Sequence, residues 1–269
     1  MRENPLKQRL ADGGYAFGTM VFEFFTPGIA QIVRAAGAEF VLYDMEHSGV
    51  GIEAIKQQMA TCRGIGIVPL VRVPATEYHF IARTLDAGAM GVMVPMVESA
   101  EQAREIVAMT RYPPRGRRGA AFGVAHDDYE AGPVAAKIAA AMARTLVIVQ
   151  IETAKGAEAV NEIAAVDGVD VVWLGHFDLT DFLGIPGEFG NDRYLEQVAA
   201  IVDAAGRHGK TAGFMPVDEK WARNYLGRGF RMMAYGMDLM MLQQELARGL
   251  AVMREHAAGE TASGRRAHG

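Results

Sequence analysis

Eight short apolar runs, separated by stretches of helical periodicity, are what most constrain the fold of this chain. They are Tyr15–Val21, Phe40–Asp44, Ile67–Val73, Gly91–Pro95, Leu146–Ile151, Val169–Leu174, Ala212–Met215 and Arg231–Tyr235. Strands that are apolar almost throughout are buried on both faces, which is the habit of parallel sheets covered by helices. Between them Ile29–Ala36, Glu53–Cys62, Tyr78–Ala87, Ala100–Thr110, Tyr194–His208 and Leu239–His256 read as amphipathic helices. Eight such βα units close into an α/β fold, the (β/α)8 TIM barrel, because right-handed crossovers put every helix outside and closure removes both sheet edges. Such a barrel runs to about 250 residues as one domain. The barrel is therefore expected over residues 1–257, followed by a solvated tail over 258–269. A doubly wound sheet is the rival, but no G-x-G-x-x-G opens a helix and no phosphate-loop motif occurs.

Composition narrows the function. With 27 Lys and Arg against 32 Asp and Glu the formal charge is −5, which argues against a nucleic-acid partner. Cys62 is the only cysteine, so no intrachain disulfide and no cysteine-rich zinc site is possible, and any metal must take oxygen or imidazole ligands. No run approaches the roughly 18 apolar residues of a membrane span, and the first ten residues carry no secretory pattern. A cytoplasmic location is the expectation.

One connection breaks the rhythm. Residues 111–133 are rich in Pro, Gly and charge, as functional lids and binding loops often are, and lead into a helix over Val134–Ala143. His126 in this loop suits either the mouth of the site or solvent, the second being favoured slightly, and His79, His208, His256 and His268 read as surface residues.

Barrel active sites lie at the C-terminal ends of the strands, so the ionisable residues that end the apolar runs are the candidates. The second run ends in Asp44-Met45-Glu46-His47, the third carries Arg72, the fifth ends in Gln150-Ile151-Glu152, and the sixth leads through Gly175-His176-Phe177 to Asp178. Each has a plain structural alternative. Asp44 and Glu46 suit helix capping or a solvated loop, and His47 suits packing or the surface. Arg72, in an apolar strand, needs a partner, which is either a structural carboxylate such as Asp44 or Glu46 or an anionic substrate. Glu152 and Asp178, at adjacent strand ends, would repel each other unless a cation such as Mg²⁺ or Mn²⁺ sat between them; the alternative for both is N-capping.

Taken together, Leu42-Tyr43-Asp44-Met45-Glu46-His47, Val71-Arg72-Val73-Pro74, Leu85-Asp86-Ala87-Gly88-Ala89, Val94-Pro95-Met96-Val97, Arg111-Tyr112-Pro113-Pro114, Arg118-Gly119 and Val149-Gln150-Ile151-Glu152-Thr153 resemble the HpcH/HpaI aldolase family, in consistent order from about residue 15 to 255. The resemblance implies a (β/α)8 barrel that makes or breaks a carbon–carbon bond through a pyruvate enolate and a divalent metal (Mg²⁺, Mn²⁺ or Co²⁺). It places the metal carboxylates on Glu152 and Asp178, the substrate-carboxylate arginine on Arg72, and a histidine–aspartate base pair on His47 and Asp86. Gln150 and Asp44 match positions lining the same pocket, with Glu46 behind them. Its partners are a 2-oxo acid and an aldehyde, and its assembly a homo-hexamer built as a trimer of dimers.

Gly175-His176-Phe177-Asp178 departs from the family's Gly-Pro-Ala/Ser-Asp, so two rings are expected to reshape the donor pocket, and the loop Phe122–Tyr129 is expected to face the aldehyde. Lys155 and Lys210 are not at interior strand positions, which favours metal over imine chemistry. The alternatives are an acyl-CoA lyase or oxo-acid decarboxylase, for which Arg111, Arg115, Arg117 and Arg118 offer the charge to hold a nucleotide, and a non-catalytic small-acid-binding barrel.

Overall fold

Parallel pairing joins β1 (Ala16–Val21), β2 (Phe40–Asp44), β3 (Val68–Arg72), β4 (Gly91–Val94), β5 (Leu146–Ile151), β6 (Val171–Leu174), β7 (Thr211–Phe214) and β8 (Met232–Met237) in chain order, and β8 closes on β1. The structure, a computed structural model, describes the backbone of residues 1–266 and the side chains of 1–258. Every strand end lies within two residues of its place in the sequence pattern. The expected helices are α2 (Ile29–Ala35), α3 (Ile52–Thr61), α4 (Tyr78–Ala87), α5 (Ala100–Thr110), α6 (Val134–Arg144), α10 (Asp192–Arg207) and α12 (Asp238–Arg266). Shorter ones join them: α1 (Pro5–Ala11), α7 (Ala154–Glu158), α8 (Val160–Ala164), α9 (His176–Phe182) and α11 (Glu219–Gly227). The expected tail overlaps α12, whose helical backbone continues to Arg266, while residues 267–269 and His268 lie outside the described residues.

Strand side chains alternate between two cores. Met20, Phe40, Leu42, Val68, Leu70, Met93, Leu146, Ile148, Val171, Trp173, Met232 and Ala234 fill the barrel, and Leu6 and Leu10 of α1 pack against them as a plug. The intervening residues, among them Val41, Tyr43, Val71, Val147, Val149, Val172 and Phe214, pack outward against the helices. Asp44, Arg72 and Gln150 continue the inward parity of their strands one step beyond the apolar interior, which raises their polar groups to the barrel mouth.

Residues 111–133 do not behave as a lid over that mouth. They connect the C-terminus of α5 to α6, and helix C-termini lie beside strand N-termini, so the segment is tied to helices instead of closing on the βα loops. Arg118 Nη2 reaches Asp86 Oδ1 at 2.6 Å, Lys137 Nζ reaches Asp127 Oδ2 at 2.6 Å, and Arg63 Nη2 donates to the Ala125 carbonyl at 2.9 Å. His126 is buried, not solvated, with Nε2 at 2.6 Å from the Ala121 carbonyl oxygen and its ring against Phe122. No helix of the described residues is long and apolar enough to cross a membrane.

The floor of the mouth is made by Trp173, whose ring occupies the space a side chain on Gly213 would need: a Cβ there would lie 2.2 Å from Trp173 Cε3. Gly213→Ala should lower stability by about 1–3 kcal/mol through overpacking, read as a fall in the urea midpoint. An unchanged midpoint would contradict this packing.

Candidate active site

Arg72 is the most constrained group at the mouth. Its side chain is 8% exposed, and Nε meets Asp44 Oδ1 at 2.5 Å while Nη1 lies 3.0 Å from Glu46 Oε2. Asp44 is fully buried and also accepts from the backbone N–H of His47 at 2.7 Å and of Glu46 at 3.3 Å. One carboxylate thus orients the guanidinium and folds the Glu46–His47 turn over the strand end. The structural partner weighed for Arg72 is real, and the side chain still lines the central cavity. His47 lines it too, with a side chain 56% exposed and Nε2 at 3.7 Å from Glu46 Oε2.

Glu152 lines the same cavity as Arg72 and is itself 1% exposed. Its Oε1 accepts from the Met96 backbone N–H at 2.7 Å, and its Oε2 accepts from the Gln150 amide. Met96 takes a left-handed φ of +54°, which a non-glycine residue adopts only when its surroundings hold it there. Gly175 leaves room for the same carboxylate, since a Cβ on it would lie 2.5 Å from Glu152 Oε2. Asp178 lines the cavity from the first turn of α9. N-capping explains neither acid, because the capping positions are Thr153, whose Oγ1 accepts from Gly156 N–H, and Gly175.

The carboxylates are electrostatically frustrated. Burial pushes Glu152 up to about 7; hydrogen bonds from Gln150 and Met96 pull it down, and the charges of Glu46 and Asp178 raise it. Glu46 is likewise raised to about 7, first by burial, with Arg72 lowering it and Asp44 and Asp178 raising it. Acids that raise one another's pKa around a shared cavity make it a favourable place for a cation.

Among the described residues no three His, Cys, Asp or Glu side chains are gathered tightly enough to ligate an ion by themselves. Glu152 and Asp178 nevertheless fit a hard divalent cation whose remaining positions go to oxygen atoms of water or substrate. Among the described residues no lysine lines the cavity.

His176 packs its ring among Phe177, Phe189, Phe214 and Trp221 at centroid distances of 4.4, 5.6, 5.1 and 5.3 Å. Burial pushes it down to about 3, so it is neutral, and its Nε2 has no hydrogen-bond partner. Phe177 stays 54% exposed at the rim. The cavity also has an apolar wall of Met20, Phe22, Trp173, Met215 and Met237, which the sequence analysis did not single out. Inward parity marks Met20, Trp173 and Met215, and Phe22 continues the parity of Met20 just past the end of β1.

Asp86 is not brought to this cavity. It sits in the last turn of α4, which runs antiparallel to the strands, and its carboxylate is held by Arg118. The imidazole of His47 faces Glu46 instead. The arginines considered for a nucleotide are largely committed elsewhere: Arg118 to Asp86, Arg117 to Glu105 at 2.7 Å, and Arg111 to the Met142 carbonyl at 2.8 Å.

A cation taken up by Glu152 would have to displace its proton, so such binding is expected to weaken as pH falls through about 7. Calorimetric titration with Mn²⁺ should show about tenfold weaker binding at pH 6 than at pH 8, as for one ligand titrating midway. Equal affinity at the two pH values would contradict the assignment.

A model of the HpcH/HpaI aldolase/citrate lyase family matches residues 19–244. The hydroxypyruvate/pyruvate aldolase of Roseovarius nubinhibens is 35% identical over 251 residues, covering 93% of this chain and 97% of that protein. The 2-keto-3-deoxy-L-rhamnonate aldolase of Klebsiella pneumoniae is 34% identical over 258 residues, 95% of each chain. Among solved structures, an HpcH/HpaI aldolase from Desulfitobacterium hafniense superposes with a TM-score of 0.88 at 32% identity, covering 93% of this chain and 96% of that one.

Proposed function

The chain belongs to the HpcH/HpaI aldolase/citrate lyase family, and on that footing we propose that it is an aldehyde-lyase: it splits 4-hydroxy-2-oxo acids into pyruvate, or a related 2-oxo acid such as hydroxypyruvate, and an aldehyde. The observation that carries this reading is the meeting of Arg72, Gln150, Glu152 and Asp178 in one cavity with a single strongly basic group. Glu152 and Asp178 would hold a divalent cation (Mg²⁺, Mn²⁺ or Co²⁺), which would supply positive charge to stabilise the negative charge developing on the keto oxygen.

The remaining steps belong to the chain's own side chains. Arg72 gives charge-assisted hydrogen bonds to the substrate carboxylate, and its pairing with Asp44 and Glu46 fixes the guanidinium before substrate arrives. Gln150 holds Glu152 in place, and Gly175 keeps that space clear. In cleavage His47 takes the proton of the 4-hydroxyl as the C3–C4 bond breaks and the aldehyde leaves, and a proton is then returned to C3 to give the 2-oxo acid. Within one chain Glu46 is the acid that faces its imidazole. His176 and Phe177 shape the wall, and a cytoplasmic location remains part of the proposal.

Arg72→Ala and Glu152→Gln should abolish release of pyruvate from a 4-hydroxy-2-oxo acid, whereas His47→Ala should slow it by about 10²–10⁴-fold, the range for loss of an acid–base group. Full activity in any of the three would sink the assignment of that residue.

Assembly with further copies of this chain is part of the proposal. Leu242, Leu246, Val252 and Met253 of α12 are 56–61% exposed, so this helix does not pack its apolar stripe on its own barrel. Tyr15, Phe17 and Tyr235 on the outer side of the β1–β8 seam are 40–48% exposed as well. A helix face and a strand face left bare in the same chain suit exchange of α12 between copies, and a closed hexamer is the arrangement favoured. Leu242→Lys with Leu246→Lys should convert the oligomer to monomer in light scattering. A double variant of unchanged mass would contradict this use of α12.

A further inference from the structure

Asp238, the first residue of α12, stands outside the machinery described so far and is 6% exposed. Its Oδ1 accepts from the Phe22 backbone N–H at 2.9 Å, and its Oδ2 accepts from Glu23 N–H at 3.1 Å and Phe24 N–H at 2.7 Å. Three successive amides at the end of β1 thus converge on one carboxylate from the far end of the chain. A segment bound in this way at consecutive residues has little freedom, because each N–H would otherwise be left without a partner in a part-buried turn.

What the clamp positions is Phe22. Its ring lines the cavity and lies over the Arg72 guanidinium, with Arg72 Cζ 5.4 Å from the ring centroid. Asp44 and Glu46 hold the polar edge of that guanidinium, and Phe22 covers its face. A covered face keeps water from competing for the one strongly basic group of the site and adds cation–π attraction.

We propose that Asp238 is a positioning residue for donor binding: by holding the Phe22–Phe24 segment it seats the Phe22 ring on Arg72 and so sets the affinity for the carboxylate of the 2-oxo acid. This assignment rests on the aldolase reading above. Asp238 acts only through Phe22 and touches no substrate atom. Asn in its place has one acceptor oxygen where three amides need two, and its NH₂ would face an amide donor.

The test is a double-mutant cycle on the intact protein with Mn²⁺ present, using Asp238→Asn, Phe22→Leu and the two combined. Cleavage of a 4-hydroxy-2-oxo acid by the unchanged protein tests the aldolase reading first; if no cleavage occurs, the reading and this inference fail together. Given cleavage, each single variant should raise KM about tenfold while kcat changes less than about threefold, the pattern of lost ground-state binding. The double variant should have the KM of the worse single variant, because both remove the same contact. Asp238→Glu should recover part of the lost affinity. An unchanged KM in Asp238→Asn, a fall confined to kcat or melting temperature, or KM effects that multiply in the double variant would each overturn the inference while leaving the aldolase reading intact.

Discussion

In a closed parallel barrel every strand has one face turned inward, and a residue's parity along the strand decides which face it joins. The rest of this structure depends on that constraint. The apolar residues Phe40 and Leu42, Val68 and Leu70, and Leu146 and Ile148 fill the interior, and the next residues of the same parity are Asp44, Arg72 and Gln150. The polar residues therefore stand on the last rung of a packed column, where strand pairing holds their backbones and their side chains are almost wholly buried at the barrel mouth. Shifting any of these strands by one residue would exchange the cavity lining for the outward hydrophobic face.

Charge placed on that rung needs internal compensation. Arg72 is held between Asp44 and Glu46, and removing one member of a buried pair costs about 3–5 kcal/mol. The acids outnumber the strong bases at the mouth, and Glu46 and Glu152 are both pushed up to about 7 by burial and by their neighbours. Left-handed Met96 is a local departure from ordinary backbone preference, and the missing Cβ at Gly175 leaves room; together they keep Glu152 in place. Such departures gather where function requires them.

The fold was legible because it rests on periodicity: the eight apolar runs coincide with the eight strands, and the residues ending them include those that line the cavity. Within one chain, Asp86 and the 111–133 segment stand away from the cavity for one shared reason. Asp86 lies in the last turn of α4 and the segment follows the C-terminus of α5, and helix C-termini lie at the strand N-termini, as the direction of each helix shows. His126 was hidden for a different reason, since its burial depends on packing against Phe122 within an irregular segment. The Phe22–Asp238 contact joins residues 216 apart, and no local pattern announces it.

The most direct test of the account is anomalous scattering from crystals grown with Mn²⁺ and pyruvate. The account predicts one strong manganese peak between the side chains of Glu152 and Asp178, with the pyruvate carboxylate against Arg72. Manganese absent from that position under saturating conditions, or pyruvate bound away from Arg72, would contradict it.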